Sequence, residues 1–210
     1  MTEAHNPIVE TTVRMFGDLG DPQALVLAGD ERWKAPLWRA LEDAGLTRAW
    51  VPERLHGAGT GMIDGFDILN AAGAYAVAVP LAETLLAGWL LAQAGLAVPA
   101  GMMTVAPVRE GDYIRLNEDG TLAGRAGAVP FARETEHIAV AARRGERMRV
   151  ALVERRHCAL ENGESIAGEP SDSVTFDGVR PAALAEPGKE FASDDLLLMG
   201  AAVRAAQMSG

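Results

Sequence analysis

The sequence predicts an α+β chain, with an all-helical N-terminal domain followed by an antiparallel, β-barrel-like middle domain. Three observations carry this reading. Residues 101–179 are a run of short apolar segments cut by Glu-Gly, Asp-Gly, Arg-Gly and Asn-Gly. Such dipeptides turn the chain, because glycine takes positive φ at no steric cost and Asn or Asp closes a local hydrogen bond. Between the turns, outward Arg, Asp and Glu alternate with inward Val, Leu, Ile and Ala, the period of a strand. Before residue 100 the apolar residues instead recur three or four apart, the period of a helix. The change of pattern divides the chain into domains at 1–99 and 100–190, with a last helical segment at 191–210.

A first helix is expected over Ile8–Phe16, with Asn6 and Pro7 supplying a cap and a first-turn proline. A second lies between Asp30 and Ala44, where Trp33, Leu37 and Leu41 share one face and Trp38 flanks it. Proline is tolerated only in a first turn, so its regular part starts close to Pro36. Gly45 ends it, and an extended Trp50-Val51-Pro52 leads to Gly57, Gly59 and Gly61. These glycines read either as a tight turn between helices or as a phosphate cradle; no apolar strand precedes them and no lysine follows. His56 beside them reads as an exposed turn residue or as a base without partners. Ile63, Phe66 and Leu69 then repeat at helical spacing, and a further helix starts at Pro80. Its sequence, LAETLLAGWLLAQAG, is apolar on almost every face, which suits a helix enclosed by others or by a second subunit. Trp33, Leu37, Leu41, Phe66, Leu85 and Trp89 are the expected core of the helical part.

Strands are expected at Met102–Val108, Tyr113–Leu116, Thr121–Ala128, Ile138–Ala142, Arg149–Val153, His157–Leu160 and Ser173–Phe176, with Val105, Ile138, Val140, Val150 and Leu152 inside. The intervals leave no room for helical crossovers, which argues against a doubly wound parallel sheet. Near the end, Leu196–Met199 and the alanines after them open an apolar helix that would be costly to leave in water.

The chain of 210 residues has a formal net charge of −10. That sign repels a phosphate backbone, so nucleic acid is not an expected partner. The arginines at 143, 144, 147, 149, 155 and 156 read as the solvated edge of a hairpin or as a contact for a phosphorylated cofactor. Cys158 is the sole cysteine, which fits a reducing cytoplasm; it reads as a small strand residue rather than a nucleophile. No secretory leader is read at the start, and the most apolar stretch, Leu85–Val98, is too short to cross a bilayer, so no membrane role is expected. Metal-site and triad motifs such as HExxH, CxxC and GxSxG are missing from the sequence.

Several stretches resemble the flavin-dependent acyl-CoA dehydrogenase family. PLWRALEDAGLTRAWVPERLHGAGTG is similar to the family's helix, Val-Pro-Glu and glycine turn, and AVAVPLAETLLAGWLLAQAG to the helix pair that follows. GAVPFARETEHIAV and AGEPSDSVTFDGVRP are similar to strands of its middle domain, and AVRAAQMSG to its first bundle helix. The resemblance implies the family's first two domains, with the C-terminal helical bundle essentially absent from these residues. It also implies FAD as cofactor, an acyl-CoA as substrate, and a homo- or hetero-oligomer with a dehydrogenase subunit carrying the bundle.

The resemblance places the family's Thr-Glu-Pro motif at Val105-Ala106-Pro107, where the proline is retained. Its aromatic-Ile-Thr motif falls on Ala128-Val129-Pro130-Phe131, without the hydroxyl. Val105, Pro107, Val129, Pro130 and Phe131 are therefore the residues it assigns to the flavin. The family's catalytic carboxylate belongs to the bundle, and no acidic residue here takes that role. Two functions follow: a component in the α,β-dehydrogenation of an acyl-CoA, or a degenerate subunit that supports a catalytic relative and holds little flavin.

Overall fold

The structure, a computed structural model, describes residues 6–21, 30–192 and 194–210. The first five residues, part of the segment read for a leader, lie outside that set.

Helix α1 (Pro7–Leu19) starts as expected, with the Asn6 side chain accepting from the Ile8 N–H, and ends at Gly20. Helix α2 (Lys34–Asp43) takes Pro36 into its first turn, where no intrahelical N–H is missed. Its buried side chains are Leu37, Trp38 and Leu41. Trp33, at its N-cap, is half-buried, so Trp38 rather than Trp33 is the tryptophan of this core. Gly45 follows at φ 73°, the left-handed conformation that makes glycine the natural stop.

The glycine series is a turn whose amides are already used. The N–H groups of Ala58, Gly59 and Thr60 donate to the carbonyls of Arg48, Val51 and Ala49 at 3.1, 2.9 and 3.0 Å. A Cβ on Gly57 would stand 1.9 Å from the Val51 carbonyl oxygen, so only glycine permits this approach. With its donors pointed inward the loop cannot cradle a phosphate, and His56 beside it is exposed.

Helix α3 (Met62–Ala74) buries Gly65, Ile68, Leu69, Ala71 and Ala72. Phe66 is half-buried against Trp50, with ring centroids 5.1 Å apart, while Ile63 faces solvent at 76% exposure. Helix α4 (Leu81–Gln93) is enclosed almost completely, as its sequence requires; only Trp89 and Gln93 are partly exposed. The wrapping comes from this chain itself, since α4 packs on α3, on the turn at 46–48 and on the sheet. The Thr84 hydroxyl fastens it there, donating to the Met103 carbonyl at 3.2 Å and accepting from the Met103 N–H at 3.0 Å.

Eight strands follow: β1 (Met103–Ala106), β2 (Tyr113–Leu116), β3 (Leu122–Pro130), β4 (His137–Arg144), β5 (Arg147–Glu154), β6 (Ala159–Glu161), β7 (Ser171–Val179) and β8 (Ala183–Ala185). They form one curled sheet in the order β6-β7-β3-β2-β4-β5-β8, with β1 also on β4. Most pairings are antiparallel, but β1 lies parallel to β4, and so does β2 where Arg115 meets Arg143, which makes the sheet mixed rather than wholly antiparallel. The connection between β1 and β4 is long enough for a parallel return because it contains the β2–β3 hairpin in place of a helix.

The sheet buries both faces. Ile138, Val140, Ala151 and Val153 point into its curled interior, with Ala126, Val129 and Phe176. Val105, Ala139, Val150 and Leu152 point the other way, onto the helices. The expected inner set is therefore buried throughout but divided between two faces, since parity along β4 and β5 sends alternate residues to opposite sides. At the β4–β5 turn Arg144 and Arg147 are exposed, the solvated hairpin edge. The strand expected at His157–Leu160 starts later, because Arg155–His157 forms a 3₁₀ turn.

Helix α5 (Asp195–Ser209) does not project into water. It lies across α3, burying Leu196, Met199 and Val203. The crossing is close: a Cβ on Gly73 of α3 would stand 1.9 Å from the Gln207 carbonyl oxygen. Asn70 of α3 also donates to the Ser209 hydroxyl at 3.0 Å. The same helix holds the other end of the described chain, for the Asn6 amide reaches Asp64 and Asp67 at 3.2 and 3.3 Å.

Candidate functional site

A cleft of about 610 Å³ opens where α4, α5 and the sheet meet. Ala82, Glu83 and Leu86 of α4 form one side, and Leu196, Gly200, Val203 and Arg204 of α5 another. The sheet contributes Val105, Pro107, Val108 and Arg109 from β1 and the loop after it, and Ala128 and Pro130 from β3. Ser165, Glu169 and Pro170, from the β6–β7 connection, and Ser171, at the start of β7, close the rim.

Three of the five residues assigned to a flavin thus line one cavity: Val105, Pro107 and Pro130. The other two do not. Val129 is fully buried inside the curled sheet and Phe131 is 2% exposed. Strand parity separates Val129 from Pro130, Phe131 follows the strand's end at φ 53°, and a bulge between Ala126 and Val129 sets which residues face out. Ala128 takes the outward place beside Pro130, at φ 53°. Ala106, between the two wall residues of β1, also turns into the sheet interior.

The wall so formed is apolar. Thr104 is the hydroxyl on β1, yet it is fully buried and donates to the Pro130 carbonyl at 2.8 Å. Below the rim, Asp172 fixes the end of β3 and the loop after β6. Its carboxylate is completely buried, meets the Arg133 guanidinium at 2.7 Å and accepts from the N–H groups of Arg133 and Gly163 at 2.9 and 3.1 Å.

Arg109 and Glu169 bring charge to the cleft, and so does the ion pair of Glu83 and Arg204, neither of which sequence reasoning singled out. Glu83 is 4% exposed, and its Oε1 accepts from Arg204 Nη2 at 2.6 Å. Burial pushes its carboxyl above the ordinary value of 4.5, against the opposing pull of Arg204. The place of Glu83 in the first turn of α4 also favours a negative charge. Its signal was available: one acid in a helix otherwise without charge. Its partner is 121 positions away, on a helix whose docking no local pattern reveals. Among the described residues no cluster of three or more His, Cys, Asp or Glu side chains is arranged to hold a metal. No described helix is long and apolar enough to cross a membrane.

No protein-family model and no curated protein matches the sequence. Solved structures do match the fold. The ChsE4–ChsE5 complex from Mycobacterium tuberculosis aligns over 99% of this chain and 64% of its own, with TM-score 0.77 and 20% identity. Butyryl-CoA dehydrogenase from Megasphaera elsdenii aligns over 99% of this chain and 66% of its own, with TM-score 0.72 and 18% identity. The fold is that of acyl-CoA dehydrogenases. A variant of the Tcur3481–Tcur3483 steroid ACAD aligns likewise, over 95% of this chain and 60% of its own, with TM-score 0.73 and 23% identity. This chain therefore spans less than two thirds of the length of these acyl-CoA dehydrogenase-fold structures, and its order of helices, curled sheet and helix α5 follows theirs.

Proposed function

We propose that this chain is a component of an acyl-CoA dehydrogenase-like flavoprotein of the cytoplasm, acting in the α,β-dehydrogenation of an acyl-CoA thioester. FAD is the hydride acceptor in that reading. The observation that carries it is the cleft between α4, the β1–β3 wall and α5, in a chain with the acyl-CoA dehydrogenase fold. Such a reaction needs a base that takes the α-proton from within hydrogen-bonding reach, and it needs water excluded from the reacting carbon. The apolar wall of Val105, Pro107, Ala128 and Pro130 serves the second requirement. We assign the base to a bundle outside these 210 residues.

The flavin itself fits this wall poorly. Val105, Ala128 and Pro130 offer no side-chain hydrogen-bond partner to the edge of a polar ring, Pro107 has no N–H, and the Thr104 hydroxyl is turned onto Pro130. Each missing bond in a desolvated cleft is worth roughly 0.5–1.5 kcal/mol. That observation favours a second reading, in which the chain is a degenerate subunit of a heteromeric dehydrogenase and a partner carries the working half-site. The likeness to a two-protein complex, ChsE4–ChsE5, supports an assembly of this kind.

Dye-coupled oxidation of short, long and ring-bearing acyl-CoAs tests the first reading. The expected outcome is no turnover by the purified chain above a flavin-only control, and turnover once a protein that co-purifies with it is added. Oxidation by the chain alone would overturn the assignment of the base. An FAD titration of Val105→Thr separates the readings: restored binding identifies a half-site that lost a side chain, whereas no change places the flavin on the partner.

A further inference from the structure

Arg204 is the one cation of the cleft that is both buried in part and fixed in direction. Its Nη2 is held by Glu83 at 2.6 Å and its Nη1 by the Gln207 side chain at 2.7 Å. A guanidinium has five N–H donors, so these two bonds leave donors without an acceptor among the described residues. The side chain is 46% exposed and lines the cleft beside Val105, Leu86 and Val203. A donor standing in an apolar cavity selects for ligands that bring an acceptor, because a ligand without one must strip water from it with no return.

The charges around Arg204 specify which acceptor. The Glu83 carboxylate already neutralises it at contact distance, and Glu169 lines the same cleft. Arg109 also lines the cleft, so its two cations offset its two anions. At Arg204 itself, however, a carboxylate-bearing ligand would meet the Glu83 carboxyl group already in contact, whereas a neutral oxygen gains the hydrogen bond without that repulsion. We propose that Arg204, positioned by Glu83, selects acyl groups that carry a neutral carbonyl or hydroxyl oxygen away from the thioester, over both unsubstituted and carboxylate-tailed chains. This selection rests on the acyl-CoA reading of the cleft. Arg204 is the contact, and Glu83 acts through it by fixing its direction and cancelling its charge.

The test is calorimetric titration of the full chain with octanoyl-CoA, with its derivative bearing an oxo group on the penultimate carbon, and with its ω-carboxylate derivative. The oxo ligand is expected to bind about tenfold more tightly than octanoyl-CoA, the scale of one hydrogen bond to a charged donor. The carboxylate is expected to bind more weakly than the oxo ligand. Arg204→Lys keeps a cation opposite Glu83 but loses the fork, and should bring the oxo preference close to one with the melting temperature unchanged. Glu83→Gln keeps a bond to Arg204 but frees its charge, and should raise the affinity of the carboxylate ligand relative to the oxo ligand. Equal affinities in the natural chain, or an oxo preference that survives Arg204→Lys, would overturn the selection while leaving the acyl-CoA reading intact. Binding of none of the thioesters would overturn that reading and the selection with it.

Discussion

Asp172 and Cys158 show how much a side chain's surroundings decide beyond its type. Asp172 sits on β7 at the parity of the inward Val174 and Phe176, so alternation puts a carboxylate among apolar side chains, and there it is fully buried and holds Arg133 and two backbone amides. Replacing it with alanine strands those donors together, and breaking a buried pair of this kind costs about 3–5 kcal/mol. Denaturant unfolding of Asp172→Ala should show a loss of that size, and a loss below 1 kcal/mol would mean that the rim is held by other contacts. Cys158 is the reverse case, since burial pushes its thiol up to about 11. At pH 8 only about one thiol in a thousand is then ionised, so its reaction with a disulfide reagent should run roughly two orders of magnitude slower in the native chain than in denaturant. The sequence already favoured an inert cysteine. Burial supplies the reason, whereas the strand expected at His157–Leu160 begins only at Ala159, after Cys158. Val129 and Phe131, two of the residues that the resemblance assigned to the flavin, lie buried away from the cleft, Val129 because parity on β3 turns it opposite to Pro130 and Phe131 because it sits beyond the strand's end.

At the scale of elements, composition and punctuation were the legible part. Helix α4 announced its burial through its lack of charge, and α2 announced its ends through Pro36 and Gly45. What a single sequence does not display is which elements meet. Nothing in AVRAAQMSG states that it lies on α3, and nothing in MTVA states that it runs parallel to a strand beyond an intervening hairpin. The α3–α5 crossing depends on Gly73, whose missing Cβ leaves room for the Gln207 carbonyl. Alanine at a helix interior usually gains about 1 kcal/mol over glycine, but a Cβ at 1.9 Å from a backbone oxygen forces the helices apart at a cost of about 1–3 kcal/mol. Gly73→Ala should therefore destabilise the chain, as measured by denaturant midpoint. An increase in stability would show that α5 shifts freely on α3.

For the whole molecule, the Glu83–Arg204 pair couples the helical core to α5, and its energetics depend on pH. The folded chain holds the Glu83 proton more tightly than the unfolded chain, because burial penalises the charged form more than Arg204 favours it. Below the ordinary value of 4.5 both states are protonated. Above it the unfolded chain releases its proton first, so this group's contribution to stability falls as pH rises, until the raised folded value has been passed. Glutamine at this position has no such loss. The melting temperature of Glu83→Gln relative to the natural chain should therefore climb as pH rises above 4.5 and then level off. A difference that shrinks would mean that Arg204 outweighs burial, and one that stays flat that the two cancel.

Helix α3 carries both ends of the described chain, Asn6 on Asp64 and Asp67, and Ser209 on Asn70. Asp64 and Asn70 stand about 9 Å apart along the helix axis. A force drawn between Asn6 and Ser209 therefore travels a short path through α3 and leaves the sheet unloaded. The two end clasps share that load in series, and the strands first feel tension after one of them has let go.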